Sequence, residues 1–215
     1  MAGAADRLQA ALRAIDAANA GDPERIRIDG EERPKELAHA QLVSEWVERL
    51  LPEASDALRL AARAHHVRRW EIPRSSYPEG RKGYLRWRAK LQQHHAALVD
   101  EILEQGGYPE AFRERVQAIV RKRGLGRDPE VQVFEDALCL VFLETQLEEV
   151  VAKLDPEKLE EVVRKTLAKM SAAAIDHAQR LSLSPESRAL LLGLAGAVPG
   201  AASVPGPQLE GRGST

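Results

Sequence analysis

Histidine, arginine and aromatic residues are concentrated in one part of this chain of 215 residues. His65 and His66 stand directly before the stretch 68–90, which holds eight basic residues against two acidic ones, although the whole chain has a formal charge of −2. Imidazoles bind metals or move protons near neutral pH, and guanidinium groups bind phosphate oxygens in pairs. The stretch therefore predicts a site for a phosphate-bearing ligand. Its candidate contacts are Arg68, Arg69, Arg74, Arg86, Arg88, Trp70 and Trp87.

Five of the six histidines fall between residues 39 and 95. His39, His65 and His95 lie on the apolar sides of predicted helices, and His66 adjoins His65. Several inward imidazoles could form a metal site or supply acid–base catalysis, whereas the alternative is that each one only packs in the core. His94 is a further candidate beside His95.

A carboxylate is expected to join these histidines from the apolar segment 133–144. A buried carboxylate needs a charged partner, hydrogen bonds or a metal ion. Asp136 shares a face with Leu140 and Leu143, so we prefer it to Glu135, which could instead orient a ligating histidine. The predicted metal ligands are His39, His65, His66, His95 and Asp136.

Composition limits the class of protein. A hydrophobic share of 44% and a charged share of 30% are typical of a soluble globular chain, and the near-neutral total argues against a protein that coats nucleic acid generally. The single cysteine, Cys139, lies in an apolar run and is expected to be a packed thiol. No apolar run approaches the roughly 20 residues of a membrane span. We expect no membrane partner and a cytoplasmic location.

Apolar residues recur at intervals of three and four along most of the chain, which predicts helices. We expect an all-α bundle of about seven or more helices in a single domain, residues 1–182, with an additional C-terminal helix at 183–197. The Gly- and Pro-rich stretch 198–215 is expected to be a disordered tail. Residues 22–33 should form a loop in which 25–28 could be extended, and 71–83 could act as a lid with Gly80 and Gly83 as hinges. The remaining helices are expected at about 8–20, 34–51, 55–70, 81–104, 109–123, 129–154, 156–170 and 172–181.

The order of His39, the pair His65-His66 and Asp136 along a helical chain resembles the HD-domain phosphohydrolases. That superfamily binds divalent metal through a histidine, an adjacent His-Asp pair and a distant aspartate. The resemblance implies an HD-like bundle and one or two divalent ions, with Mn, Fe, Co, Ni and Zn all open. This chain departs from the pattern because its pair is His-His.

A longer resemblance covers residues 8–182. The phrases Pro34-Lys35-Glu36-Leu37, Arg68-Arg69-Trp70, Tyr84-Leu85-Arg86-Trp87-Arg88 and Glu135-Asp136-Ala137 are similar to those of the uncharacterised family catalogued as domain of unknown function 4202. Within that resemblance, His66 and His95 match better than His65 and His94. The resemblance implies no established activity.

These features predict a metal-dependent phosphohydrolase that acts on a nucleotide or another small phosphorylated compound. His66, Asp136 and Glu135 would be its catalytic residues, and the arginines would hold the phosphate. The alternative is a non-catalytic protein that binds a nucleotide or RNA in the arginine-rich groove, and a third possibility is a structural module. Lys169, at the end of the helix expected at 156–170, is expected to be solvated. The sequence leaves the oligomeric state open.

Overall fold

The computed structural model describes residues 3–28 and 30–196, and this part of the chain is mainly helical. The all-α fold class is therefore confirmed. A two-stranded antiparallel hairpin and two short 3₁₀ turns, Arg69–Glu71 and Arg74–Ser76, complete the described structure. The elements are α1 (Ala4–Asn19), β1 (Arg25–Ile28), β2 (Glu31–Pro34), α2 (Lys35–Leu50), α3 (Asp56–Ala64), α4 (Gly80–Gln105), α5 (Glu110–Val120), α6 (Pro129–Thr145), α7 (Leu147–Lys153), α8 (Pro156–Leu167), α9 (Ala172–Gln179) and α10 (Pro185–Ala195).

Helix α6 runs through the middle of the molecule and contacts α2, α3, α5, α7 and α9. Its apolar side chains point in most directions, and Phe134, Leu140 and Leu143 are fully buried. Burying such a side chain stabilises the fold by roughly 2 kcal/mol, so this helix anchors the core. The residues that adjoin these three along α6 are therefore placed close to the centre of the protein.

Capping residues set several helix starts where the sequence predicts them. The Asp128 carboxylate accepts bonds from the amides of Glu130 and Val131, and Pro129 follows it at the first helical position. Ser55 caps α3 in the same way by accepting from the Leu58 amide at 3.2 Å. Each cap satisfies amides that have no partner within the helix.

Several helix predictions are wrong at their ends. The helix expected at 55–70 stops at Ala64, those at 109–123 and 156–170 stop at Val120 and Leu167, and the helix at 129–154 is broken at Gln146 into α6 and α7. The predicted loop contains the hairpin, in which Ile26 pairs with Arg33. The extended stretch at 25–28 is confirmed.

Two further predictions concern the chain after α3 and the C-terminus. Gly83 is not the hinge that the sequence predicts. It is a packing position inside α4, because a Cβ there would lie 1.8 Å from the carbonyl oxygen of Pro78. The loop before α4 is therefore fastened to that helix. At the other end, α10 packs against α7, α8 and α9 and buries Leu191. Ala197 and the predicted disordered tail, 198–215, lie outside the described residues.

Candidate functional site

The turn after α3 presents the two histidines of the pair to different surroundings. The amide of Arg68 donates to the side-chain oxygen of Asn19 at 3.1 Å, and Val67 is fully buried beside it. These contacts draw the chain out of the helix at Ala64. His65 and His66 therefore lie in a turn and not on a helical face.

Two residues next to this turn have left-handed backbone conformations although neither is glycine. Arg68 has φ 48° and Lys122, after α5, has φ 54°, and they are the only such residues in the described part of the chain. Each costs on the order of 1 kcal/mol, and strained residues of this kind cluster at functional sites. The strain thus marks the region where the turn and the end of α5 meet.

The imidazoles of His65, His66 and His95 lie close together in this region, and the Nδ1 atom of each has a hydrogen-bond partner. The ring centroids of His65 and His66 are 4.2 Å apart, and those of His66 and His95 are 5.7 Å apart. The Nδ1–H of His65 donates to the carbonyl of Ala62, and that of His95 donates to the carbonyl of Val67, both at 2.9 Å. Since a carbonyl only accepts, the Nε2 atom of each ring carries a lone pair.

Glu36 holds the third imidazole and is a site residue that the sequence analysis did not identify. The Nδ1 of His66 lies 3.0 Å from the Glu36 carboxylate, which also lies 4.0 Å from the Nδ1 of His39 and 3.7 Å from the Nε of Arg69. The Asp22 carboxylate accepts from the Glu36 amide at 2.8 Å and so fixes the start of α2. The available signal was its position one helical turn before His39.

Arg69 closes the other side of His66. Its Nη1 lies 3.0 Å from the Nε2 and 3.3 Å from the Nδ1 of His66, so the guanidinium lies against the imidazole ring. Because Nδ1 faces Glu36, Nε2 is the ring nitrogen that can accept from it. The same guanidinium lies 5.2 Å from the centre of the Trp87 ring. Arg69 therefore sits at the junction of a carboxylate, an imidazole and an indole ring.

The histidines of this cluster are held neutral. Burial lowers the pKa of His65 and His66 well below its usual value, and the neighbouring Arg69 adds to the effect for His66. Burial also lowers the pKa of His39, and it lowers the pKa of His95 to about 4. Neutral imidazoles at pH 7 keep their lone pairs available as bases or ligands.

A cavity of about 370 Å³ opens beside these residues, and we call it the histidine cavity. It is within the range of volumes that small-molecule sites occupy. Arg69 and Arg88 contribute guanidinium groups, and Lys122 and Lys169 contribute ammonium groups. The polar residues in its wall are His39, His65, His66, Arg69, Tyr84, Arg88, Lys122, Glu135, Gln146, Thr166 and Lys169.

Glu135 is the carboxylate of α6 that faces this cavity. It is buried and forms an ion pair with Lys122, and the Nζ of Lys169 lies 3.6 Å from its other oxygen. Lys169 is exposed, as expected for a solvated helix end, and its ammonium group also lies beside Glu135. Four cations meet one acid in the cavity wall, so the cavity favours an anionic ligand.

Asp136 turns to the other side of α6. Its carboxylate accepts from the amide of Ser171 at 2.8 Å, from the hydroxyl of Ser171 at 2.6 Å and from the side chain of Gln132 at 3.0 Å. Ser171 in turn caps α9. The preference for Asp136 over Glu135 as the site carboxylate is thus corrected, because Asp136 is occupied in fixing the start of α9.

The other predicted substrate contacts are dispersed. Arg68 lines a separate groove between α1 and α4, and Arg74 donates to the carbonyls of Tyr77 and Pro78. Trp70 and Trp87 line a neighbouring cavity of about 330 Å³ together with Arg69. Of the predicted arginines, Arg69 and Arg88 reach the histidine cavity. Arg86 is exposed on α4.

His94 and Cys139, which the sequence also singles out, make contacts within the fold. His94 lies 3.3 Å from the Glu71 carboxylate, outside the histidine cavity. Burial raises the pKa of the Cys139 thiol to about 12, so this cysteine is a packed thiol as expected.

The metal prediction can be tested against the positions of the donor atoms. Nδ1–H groups bound to carbonyl or carboxylate oxygens are typical of metal-ligating histidines, and the Nε2 atoms of His39 and His95 are buried without a protein partner. Within residues 3–28 and 30–196, however, no group of three or more His, Cys, Asp or Glu side chains is arranged to hold a metal ion. Arg69 occupies the Nε2 of His66, and Asp136 is directed elsewhere. The five predicted ligands therefore do not come together as one group in the described residues, because Asp136 is turned away from the imidazoles.

A family comparison covers most of the chain. The family described as Domain of unknown function (DUF4202) matches residues 9–191. This chain belongs to the DUF4202 family. The match includes Glu36, the histidines of the cavity, Glu135 and Lys169. No curated protein and no solved structure matches this DUF4202 chain.

Among residues 3–28 and 30–196, no helix combines the length and the apolar character that a membrane crossing requires.

Proposed function

We propose that this protein binds the phosphate group of a nucleotide or another small phosphorylated compound in the histidine cavity and hydrolyses the phosphate ester. One observation carries the proposal. A neutral imidazole tied to a buried carboxylate, His66 with Glu36, borders the cavity together with Arg69, Arg88, Lys122 and Lys169.

The cations would bind and polarise the phosphate. Guanidinium groups match two phosphate oxygens at once, and ammonium groups act as point charges. Charge that develops on the phosphate oxygens in the transition state would be stabilised by the same groups, which the protein already holds in place. Glu135 would position Lys122 and Lys169 through its ion pairs.

His66 would move the proton. In the free protein Arg69 donates to its Nε2, and an incoming phosphate would compete for that guanidinium and release the lone pair. The imidazole would then accept a proton from the attacking water, and Glu36 would stabilise the resulting imidazolium at Nδ1. The new bond joins the water oxygen to phosphorus, the ester bond breaks, and the leaving oxygen keeps the electron pair and takes a proton from solvent.

The test is release of inorganic phosphate from nucleoside monophosphates and simple phosphate monoesters. His66→Ala should lower kcat by at least about 100-fold, which is typical for loss of a general base, and Glu36→Gln should lower it less. The matched control is His177→Ala, because His177 packs on Trp46 outside the cavity. Absence of phosphate release from every compound, or an equal loss in His177→Ala, would contradict the proposal.

Dependence on a divalent ion is the second candidate, favoured by the anchored imidazoles with buried, unpartnered Nε2 atoms. Mn, Fe, Co, Ni and Zn stay open as proposals. The same assay would decide it: activity that is lost with a chelator and restored by one ion supports a metal enzyme. Activity that persists in the chelator supports the metal-independent reaction.

A cytoplasmic location stays a prediction.

A further inference from the structure

The first half of α4 presents a row of cations to solvent. The sequence contains no acidic residue between Glu79 and Asp100. Over the same stretch the exposed basic side chains, which we call the α4 face, are Arg81, Lys82, Arg86, Arg88 and Lys90.

These cations are not paired with carboxylates in the part of the chain that the structure describes. In the described residues none of the five forms an ion pair with a carboxylate, whereas Arg63 and Arg113 are paired with Asp16 and Asp100. Lys82 and Arg86 lie one helical turn apart, as do Arg86 and Lys90. Each such like-charge pair destabilises a helix by roughly 0.2–0.5 kcal/mol. The arrangement costs stability, so it indicates an anionic partner outside the chain.

One flank of the α4 face is continuous with the histidine cavity, whereas Lys82, Arg86 and Lys90 follow one another along the opposite flank of the exposed surface, because successive helical residues turn by roughly 100°. Tyr84 and Arg88 line that cavity, and Tyr84 also lines an open hollow of about 490 Å³ with Arg81 and Leu85. Tyr84 and Leu85 are 43% and 54% exposed, which is unusual for such large side chains in this protein. The Arg88 guanidinium lies 5.9 Å from the centre of the Tyr84 ring. An exposed ring among guanidinium groups is suited to stacking a nucleobase while the cations follow a phosphate backbone.

We propose that the α4 face binds a single-stranded nucleic acid and that the terminal phosphate of the strand enters the histidine cavity. The inference rests on the proposed function and names its substrate as the end of a strand. From Lys82 to Lys90 the cations span about 12 Å of helix, which is long enough for more than one phosphate contact. A free mononucleotide would use the cavity alone.

Binding is tested by fluorescence anisotropy of labelled strands of about ten nucleotides, a length within the site sizes of single-strand binders. RNA and DNA strands are compared, each with a terminal phosphate or a terminal hydroxyl. The comparison shows which nucleic acid binds and whether the terminal phosphate contributes to binding. Arg86→Glu should weaken binding about tenfold and reduce the dependence of log Kd on log salt by at least about 0.7, the value for one lost phosphate contact. The matched control is Arg13→Glu, a charge reversal at an exposed arginine of α1.

Phosphate release separates this inference from the proposed function. Arg86→Glu should lower kcat/KM for the terminally phosphorylated strand about tenfold and leave that for a mononucleotide unchanged, whereas His66→Ala should lower both. Hydrolysis of mononucleotides without any binding of strands would overturn the inference and leave the proposed function standing. Strand binding that falls in Arg86→Glu, without hydrolysis of any compound, would support the α4 face and overturn the proposed function. Equal losses in Arg13→Glu would overturn the inference.

Discussion

Helices α4 and α8 both expose many charged side chains, but they arrange them in opposite ways. In α8 each cation follows an acid by one turn, so that Glu160 pairs with Arg164 and Glu161 pairs with Lys165. In the first half of α4 cation follows cation, and Arg86 has Lys82 and Lys90 as its neighbours. Surface pairs of the α8 type add a few tenths of a kcal/mol to a helix. Charges with internal partners thus serve the fold, and the unpaired charges of α4 are the ones that we assign to the proposed ligand.

The same distinction applies to the two carboxylates of α6. Asp136 has its hydrogen-bonding capacity filled by Ser171 and Gln132, whereas Glu135 faces the cations of the histidine cavity. A group that is satisfied within the fold should affect stability when it is changed. A group that faces the cavity should affect ligand binding.

The largest change in stability is expected for Asp136→Ala. It removes a buried acceptor of three hydrogen bonds and leaves the Ser171 amide unpaired at the start of α9, which should cost about 3 kcal/mol of unfolding free energy. Urea denaturation measures this directly. The milder Asp136→Asn retains one acceptor oxygen and should cost less. If Asp136→Asn instead abolished phosphate release at unchanged stability, Asp136 would belong to the site.

The next largest effect is expected from acid, which should lower the free energy of unfolding through His95. The pKa of His95 is about 4 in the folded state, below the usual value near 6.5, so the unfolded chain takes up a proton first as the pH falls. The stability that comes from keeping His95 neutral is complete above pH 6.5 and is lost progressively below it. Between pH 7.5 and pH 5 this single group should remove about 2 kcal/mol.

The check is urea denaturation at both pH values for wild type, His95→Gln and the control His177→Gln. The His95→Gln protein should show a weaker pH dependence than wild type, and His177→Gln should keep the dependence of wild type. An unchanged dependence in His95→Gln would show that His95 is not held neutral by the fold.

The smallest expected effect compares α4 with α8, because replacing an arginine by glutamate should change the free energy of unfolding in opposite directions in the two helices. Arg86→Glu replaces two repulsive neighbours by attractive ones and should raise the free energy of unfolding by about 1 kcal/mol. Arg164→Glu replaces the single pair with Glu160 by a repulsion and should lower it by about half as much. Paired thermal denaturation measures the two changes, roughly 3 °C upward and roughly 1.5 °C downward. Changes of the same sign would break the comparison.

Local signals in the sequence predict most of the fold. The apolar spacing places the helices, and Asp128-Pro129 and Asp155-Pro156 mark the starts of α6 and α8. The end of α3 is not local, because Arg68 leaves the helix through a bond to Asn19, 49 residues earlier in the chain. The prediction of a hinge at Gly83 is wrong for the same reason, since the contact that this glycine accommodates comes from the backbone of Pro78.

The candidate site is predictable in part. His66, Arg69 and Arg88 could be selected because imidazoles and guanidiniums cluster in the sequence. Lys122 could not, since it reaches the cavity only through tertiary packing. Glu36 had only its position one turn before His39 as a signal, because its bond to His66 joins residues 30 positions apart. A helix that is apolar on most sides does not reveal which of two adjacent acids faces a given neighbour, and this is why Asp136 was preferred to Glu135.

The most direct test of the central claim is NMR observation of the histidine ring protons during titration with inorganic phosphate. If phosphate binds in the cavity, the His66 and His65 signals should show saturable shifts and the pKa of His66 should rise, because the anion stabilises the imidazolium and withdraws Arg69 from Nε2. The His177 signal should stay in place. Unchanged His66 signals, or shifts that His177 shares equally, would contradict phosphate binding in the histidine cavity.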